Sequence, residues 1–339
     1  MPRGPGEADA LAAWAATRAP DLIAKAEAEA VVVLRDALVD AARALTAREP
    51  GRGAAAEPRR RAVAESPPAR EEGDLLWAYC VLRAGVPRPS DVRGVDPAFA
   101  VEAVEADGLV ALVSRVPASQ FGTDPLRQNL NDLGWLERVA RAHEVVLEEM
   151  LPAATLVPLR LCTIFEDDDG VRRMLESERE TLVVALDALE GRQEWGVKLL
   201  VDPERVEEQA RARLGAAATV VDEAPGSGGA YMQRRRVDRQ VREMAHTLMT
   251  EIADDVRGSL EHWALDVVTR PPQNRELSGH DGEMLLNAAC LIEGARVDSL
   301  RELVGELEAR HRGLGAHVEL TGPWPPYNFV PRGGSPALA

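Results

Sequence analysis

Asp167, Asp168 and Asp169 form a run of three carboxylates, the ligand type that hard divalent cations prefer. The run lacks the alternating spacing of a calcium loop. It stands just ahead of an apolar repeat at helical spacing, where acids suit the positive end of a helix dipole, so capping is the expected role. Gly226 to Gly229, Gly-Ser-Gly-Gly, invites a phosphate-loop reading. It has neither the G-x-x-x-x-G-K-[S/T] pattern nor a good strand before it, and a flexible insertion is expected. His143-Glu144 has no second histidine four residues on, so a HExxH zinc site is excluded. His143 falls on the apolar stripe of a helix, which predicts a satisfied, partly buried imidazole. His280-Asp281 supplies half of an acid–base pair, with no recognisable nucleophile motif beside it; His262, His311 and His317 are scattered. Cys80, Cys162 and Cys290 are isolated in apolar, strand-like runs without Cys-x-x-Cys spacing, which predicts buried free thiols in a reducing cytoplasm. Arg234, Arg235, Arg236, Arg239 and Arg242 make a basic stripe interleaved with Asp238 and Glu243. A solvated, salt-bridged face is expected there, with a contact for an acidic partner as the alternative. No catalytic residue, metal site or cofactor is expected, and the chain does not read as an enzyme.

Composition narrows the rest. The net charge is −16 over 339 residues and the pI is about 5.0, against a general nucleic-acid binder, whose affinity comes mostly from neutralised phosphates. No apolar run approaches the roughly 20 residues that span a bilayer, and the first ten residues lack a basic-then-apolar leader. A soluble intracellular protein, with neither nucleic acid nor membrane as partner, is the expectation.

The elements that must carry any function divide the chain into five stretches. Residues 1–49 hold an amphipathic helical extension, with Leu22, Ala26, Val33, Leu34, Ala37, Leu38, Ala41 and Leu45 on one narrow stripe within residues 9–48. Residues 50–74 are rich in Pro, Gly, Arg and Glu and read as a disordered linker. Residues 75–192 read as a first α+β domain. Its strands are Leu75–Arg83, Gly108–Val116 and Ala154–Phe165, with Pro158 marking an edge or bulge. One helix follows Asp124-Pro125 as far as Met150, and another runs from Asp167 to about Leu189. Residues 193–321 show strand (Glu194–Asp202), helix (Pro203–Leu214), a loose insertion (215–229), helix (Tyr231–Ser259), two strands (Leu260–Arg270 and Glu283–Glu293), helix, and a last strand (Ala316–Leu320). Ser299 and Glu302 are spaced as a capping box opening that last helix. This βαββαβ order predicts a ferredoxin-like second domain in an α+β chain. Its strand Met284–Gly294 has no aromatic to stack a base, against RNA binding.

Residues 322–339 form a Pro/aromatic strap and tail. Pro323, Pro325 and Pro326 hold the backbone of Gly322–Val330 extended. On it sit Trp324, Tyr327 and Phe329, three of only thirteen aromatics (six Trp, three Tyr, four Phe). They are expected to anchor the strap on its own domain or to meet another protein. This tail resembles the C-terminal signature of the gas vesicle protein F/L family. Leu75–Arg83 resembles that family's first strand and Trp195–Asp202 a third. Leu156–Phe165 is similar to its hydrophobic–Pro–Leu–Arg–aromatic–Gly–Thr–x–Phe pattern, with Leu161 and Cys162 in place of the aromatic and the glycine; the strand is expected to survive that departure. The resemblance spans about Leu75 to Val330. It implies a gas vesicle accessory protein that binds the small, strongly apolar major shell protein during nucleation and keeps it from aggregating. A place in the cytoplasm and on the vesicle's gas-facing side, and contacts with other accessory proteins, are implied too. A scaffold working through residues 9–48, and a ligand-binding or hydrolytic α+β enzyme, are the competing classes.

Overall fold

The stretch Leu76–Leu82 is buried without a break, so the strand that contains it, β1 (Asp74–Arg83), has no polar face. The computed structural model describes residues 73–87, 92–215, 228–271 and 282–330. The helical extension, most of the linker, most of the insertion and His280-Asp281 lie outside these residues. The described chain is mixed α+β with two sheets.

The first sheet adds β2 (Val101–Ala106), β3 (Leu109–Pro117), β4 (Val157–Pro158) and β5 (Ile164–Phe165), in the order β2-β3-β1-β4, with β5 also pairing β1. Pro158 sits on the outermost strand opposite Cys80, where its missing N–H costs no ladder bond. The expected strand Ala154–Phe165 is instead two short strands parted by a turn at Leu161 and Cys162. Arg160 O accepts bonds from Thr163 N (3.1 Å) and Thr163 Oγ1 (2.7 Å). Cys162 has φ +65°, the left-handed region, and is half-buried in this turn rather than buried in a strand. The left-handed region costs a side-chain-bearing residue about 1–2 kcal/mol, of which glycine's extra unfolded-state entropy returns roughly half. Cys162→Gly should therefore raise stability by about 0.5–1 kcal/mol, read as a higher urea midpoint at unchanged slope; a lower midpoint would mean that the side chain's contacts outweigh the backbone.

A short helix, α1 (Ala118–Phe121), precedes Asp124-Pro125, and α2 (Thr123–Asn129) and α3 (Leu133–Met150) replace the single helix expected after it. The break comes from Asp132, whose Oδ1 accepts from Gly134 N (2.9 Å) and Trp135 N (3.2 Å), opening a new helix. α4 (Asp168–Ser177) and α5 (Arg179–Leu189) likewise part at Glu178, where Ser177 Oγ bonds back to Met174 O. Asp167 caps α4 through Gly170 N at 2.7 Å, which is the expected work of the aspartate run.

The second sheet has the order β7-β8-β6-β9, from β6 (Arg192–Val201), β7 (Asp266–Arg270), β8 (Glu283–Glu293) and β9 (His317–Trp324), with β6–β8, β6–β9 and β7–β8 antiparallel. Trp195, Val197, Leu199 and Val201 face a core shared with Leu286, Ala288, Cys290, Val318 and three helices. These are α6 (Pro203–Leu214), α7 (Gly228–Trp263) and α8 (Val297–Arg310). α7 runs to Trp263 because Val256 and Leu260 continue its buried stripe, so the strand expected from Leu260 starts only at Asp266. α8 begins at Val297 without a side-chain cap, which puts Ser299 inside the helix and not at a capping box. Asp255 of α7 meets His311 Nε2 (2.7 Å) and Arg310 Nη1 (2.9 Å) at the C-terminal end of α8; the bond to His311, with Arg310 beside it, holds its carboxyl below the usual range.

Two compact units divide the chain: Met1–Trp77, Asp91–Val101 and Ser114–Val146 in one, Ala78–Ser90, Glu102–Val113 and Leu147–Ala339 in the other. Within the first, Trp77 stands edge-on to Phe121 (centroids 5.7 Å apart) and to His143 (5.9 Å), and Phe121 lies 5.4 Å from Trp135. Trp77 Nε1 donates to His143 Nδ1 at 2.9 Å, which makes the buried imidazole neutral with its proton on Nε2.

Candidate functional site

The C-terminal segment is built on β9, an edge strand that runs four residues past its expected end at Leu320, through Gly322 to Trp324. Against β6, Glu194 pairs with Trp324 and Gly196 with Thr321, so two residues of β9, Gly322 and Pro323, oppose Trp195 in a bulge. Gly322 has φ +133°, and a Cβ there would lie 3.1 Å from Glu194 O and 3.2 Å from the Trp195 ring; only glycine fits. The Gly322-Pro323 peptide is cis. A Cβ on Gly196 would meet Thr321 Oγ1 at 2.7 Å, and that hydroxyl accepts from Trp324 Nε1 at 3.1 Å.

Beyond Trp324 the chain turns back over the face of the sheet opposite the helices. Tyr327 N bonds Pro325 O (2.8 Å) and Phe329 N bonds Pro326 O (3.2 Å), and both prolines are buried. Asn328 then joins two strands. Its backbone N–H donates to Glu194 Oε2 (3.1 Å) and its Nδ2 to Glu194 Oε1 (2.6 Å), while its Oδ1 accepts from Arg270 Nε (3.2 Å) and Nη2 (2.6 Å). Glu194 is on β6 and Arg270 on β7. Since β8 lies between them, residues 325–328 cross the sheet from one edge toward the other. The row beneath, Val268-Ala289-Gly196-Thr321, is small at its centre and gives the segment room. Glu194 is only 1% exposed, a buried carboxylate held by charge-assisted bonds. Burial, with the Glu194 charge adding to it, pushes the Cys290 thiol up to about 12; burial alone pushes Cys80 up. Neither thiol is poised as a nucleophile.

Trp324, Tyr327 and Phe329 are thus brought onto one short segment, each half-buried. Sequence reasoning missed the polar residues that fasten it: Asn328, Glu194 and Arg270. The signal for Asn328 was its place as the one amide among three aromatics. Glu194 gave the opposite signal, because alternation along β6 reads it as solvent-facing. Among the described residues, the others singled out do not converge. Asp169 pairs with Arg172, Arg239 with Glu243, and His317 with Glu308, while Arg235 covers Tyr231 at 5.3 Å. Among the described residues no group of three or more His, Cys, Asp or Glu is placed to hold a metal ion, and no described helix is long and apolar enough to cross a membrane.

Comparison with known proteins agrees with the motifs. The family model for the gas vesicle synthesis protein GvpL/GvpF matches residues 75–331. Gas vesicle protein L of Streptomyces sp. (strain CB03234) is 38% identical over 223 residues, 66% of this chain and 80% of that protein. Gas vesicle protein F of the same organism is 28% identical over 258 residues, 75% of this chain and 98% of its own length. The crystal structure of GvpF from Anabaena sp. PCC7120 superposes with a TM-score of 0.60 at 19% identity, covering 77% of this chain and all of that one, a likeness of fold. With the match reaching from β1 to the clamped tail, the chain belongs to the gas vesicle synthesis protein GvpL/GvpF family.

Proposed function

We propose that this chain is an assembly factor that binds the major gas vesicle shell protein and holds it for nucleation, with no bond made or broken. An apolar shell subunit exposes hydrophobic surface before assembly, and a charged partner that covers it prevents premature association. The observation that carries the reading is the clamped segment. Family membership supports a gas vesicle accessory role, and Trp324, Tyr327 and Phe329 are held in place while half-exposed. Large amphipathic side chains on a backbone already ordered bind at low entropic cost. We read the division into residues 75–192, 193–321 and 322–339 as two domains and a strap, the second domain ferredoxin-like, in keeping with its strand order β7-β8-β6-β9. The site of action is then the cytoplasm and the growing vesicle, including its gas-facing side, with other accessory proteins as further partners.

Vesicle yield tests this reading. In a host that makes gas vesicles, deleting the chain should abolish or sharply reduce buoyant organelles, and the intact chain should restore them. Normal yield without it would overturn the proposal.

A further inference from the structure

The four edges of the two sheets are not equally protected. An open edge invites another strand, and proteins block edges with charge, proline, bulges or extreme shortness. β2 carries Glu102 and Glu105; β4 is two residues long and ends on Pro158; β9 has its bulge and Pro323. β7, Asp-Val-Val-Thr-Arg, contains no proline and pairs with β8 in unbroken register, and among the described residues no strand lies on its outer side.

The sequence of β7 is also self-complementary. Asp266 and Arg270 stand two residues either side of Val268, on the same face of the sheet. In an antiparallel pair of two β7 strands centred on Val268, each Asp266 lies opposite the other copy's Arg270, the same arginine whose Nε and Nη2 hold Asn328 in its own copy, and Val268 lies opposite itself. Opposite charges directly across a strand pair are stabilising, whereas like charges there are destabilising. From the open edge and this charge pattern we infer that β7 is a self-association edge, joining two copies about a two-fold axis into one eight-stranded sheet. The occupant of the edge is a second copy of this chain, and the contact is isologous. A five-residue strand pair is a small interface, so the dimer is weak and reversible. An axis normal to the sheet leaves the faces crossed by residues 325–328 on the same side, so the dimer presents two tails together. The inference stands whether or not the tail binds shell protein.

The test uses the full chain carrying Cys162→Gly, which removes the half-buried thiol. Residues paired across antiparallel strands have Cα atoms about 4.5–5.5 Å apart, within disulfide reach. Val268→Cys should give a disulfide-linked dimer under mild oxidation. Thr269→Cys should not, because its opposite residue is Val267. Sedimentation of the chain with its native β7 should show a monomer–dimer equilibrium, and Asp266→Arg should weaken it about tenfold or more by placing two arginines face to face. Asp266 is exposed, and an unchanged thermal melt establishes that this variant folds. A chain that stays monomeric at every concentration, with no link through Cys at 268, overturns the inference. So does linkage of the 269 variant as fast as the 268 variant, or a dimer indifferent to Asp266→Arg.

Discussion

Glu194→Ala is expected to destabilise the chain by about 3 kcal/mol and to release residues 325–330 from the sheet. The magnitude follows from what the carboxylate holds. It accepts both the backbone and the side-chain N–H of Asn328, at 3.1 and 2.6 Å, in a site from which water is excluded. Removing one partner of a buried, charge-assisted network costs about 3–5 kcal/mol, because the groups left behind lose the bonds for which they gave up water. The lower end applies here, since Arg270 is only half-buried and can turn toward solvent. Glu194→Gln should cost about half as much: one acceptor oxygen remains, and an NH2 group now faces a donor. Urea unfolding gives the energy, and hydrogen exchange at Tyr327, Asn328 and Phe329 gives the local release. A loss below about 1 kcal/mol, or a tail still protected from exchange, would mean that the prolines and aromatics hold the segment without the clamp.

Trp77→Ala should be costlier still, about 4 kcal/mol. The indole is fully buried, stands edge-on to Phe121 and His143, and donates the bond that sets the imidazole's tautomer. Deleting a buried Trp typically costs 3–5 kcal/mol through lost transfer energy and the cavity left behind. The two variants differ in kind. Glu194→Ala should act through local release of the tail, while Trp77→Ala should lower the global midpoint without selective exchange at residues 325–330. A Trp77→Ala protein within about 2 kcal/mol of the parent would show that the cluster collapses to fill the space.

Much of the fold is legible along the chain, for reasons that differ between elements. The runs that become β1, β8 and α6 stand out because unbroken apolar stretches and an Asp-Pro helix start are local signals. β2 escapes notice because Val-Glu-Ala-Val-Glu-Ala repeats every three residues and is built largely of helix formers. What makes it a strand is the turn after it: Asp107 and Gly108 both have positive φ, the requirement of a two-residue hairpin loop, and Asp-Gly is a strong signal for one. The helix breaks at Asp132 and Glu178 are hidden because apolar spacing continues through them, and only a capping carboxylate at Asp132 and a hydroxyl bonding back at Ser177 mark them. Cys162 is the instructive departure. Cys162 holds the left-handed backbone of the turn although it carries a side chain. The clamp is illegible for another reason. Its residues are 134 and 58 positions apart, and no local pattern links a strand glutamate and a strand arginine to an asparagine in a proline-rich tail. The aromatics on that tail were visible at once, and the polar fastening came only with the fold.

The most direct measurement is co-expression of the major shell protein with this chain, followed by centrifugation and affinity capture. The account predicts that the shell protein stays in the supernatant and copurifies. Replacing Trp324, Tyr327 and Phe329 together by alanine should lose the capture while the chain still unfolds in a single cooperative transition. Shell protein that pellets equally with and without the chain, or capture indifferent to those three side chains, would contradict it.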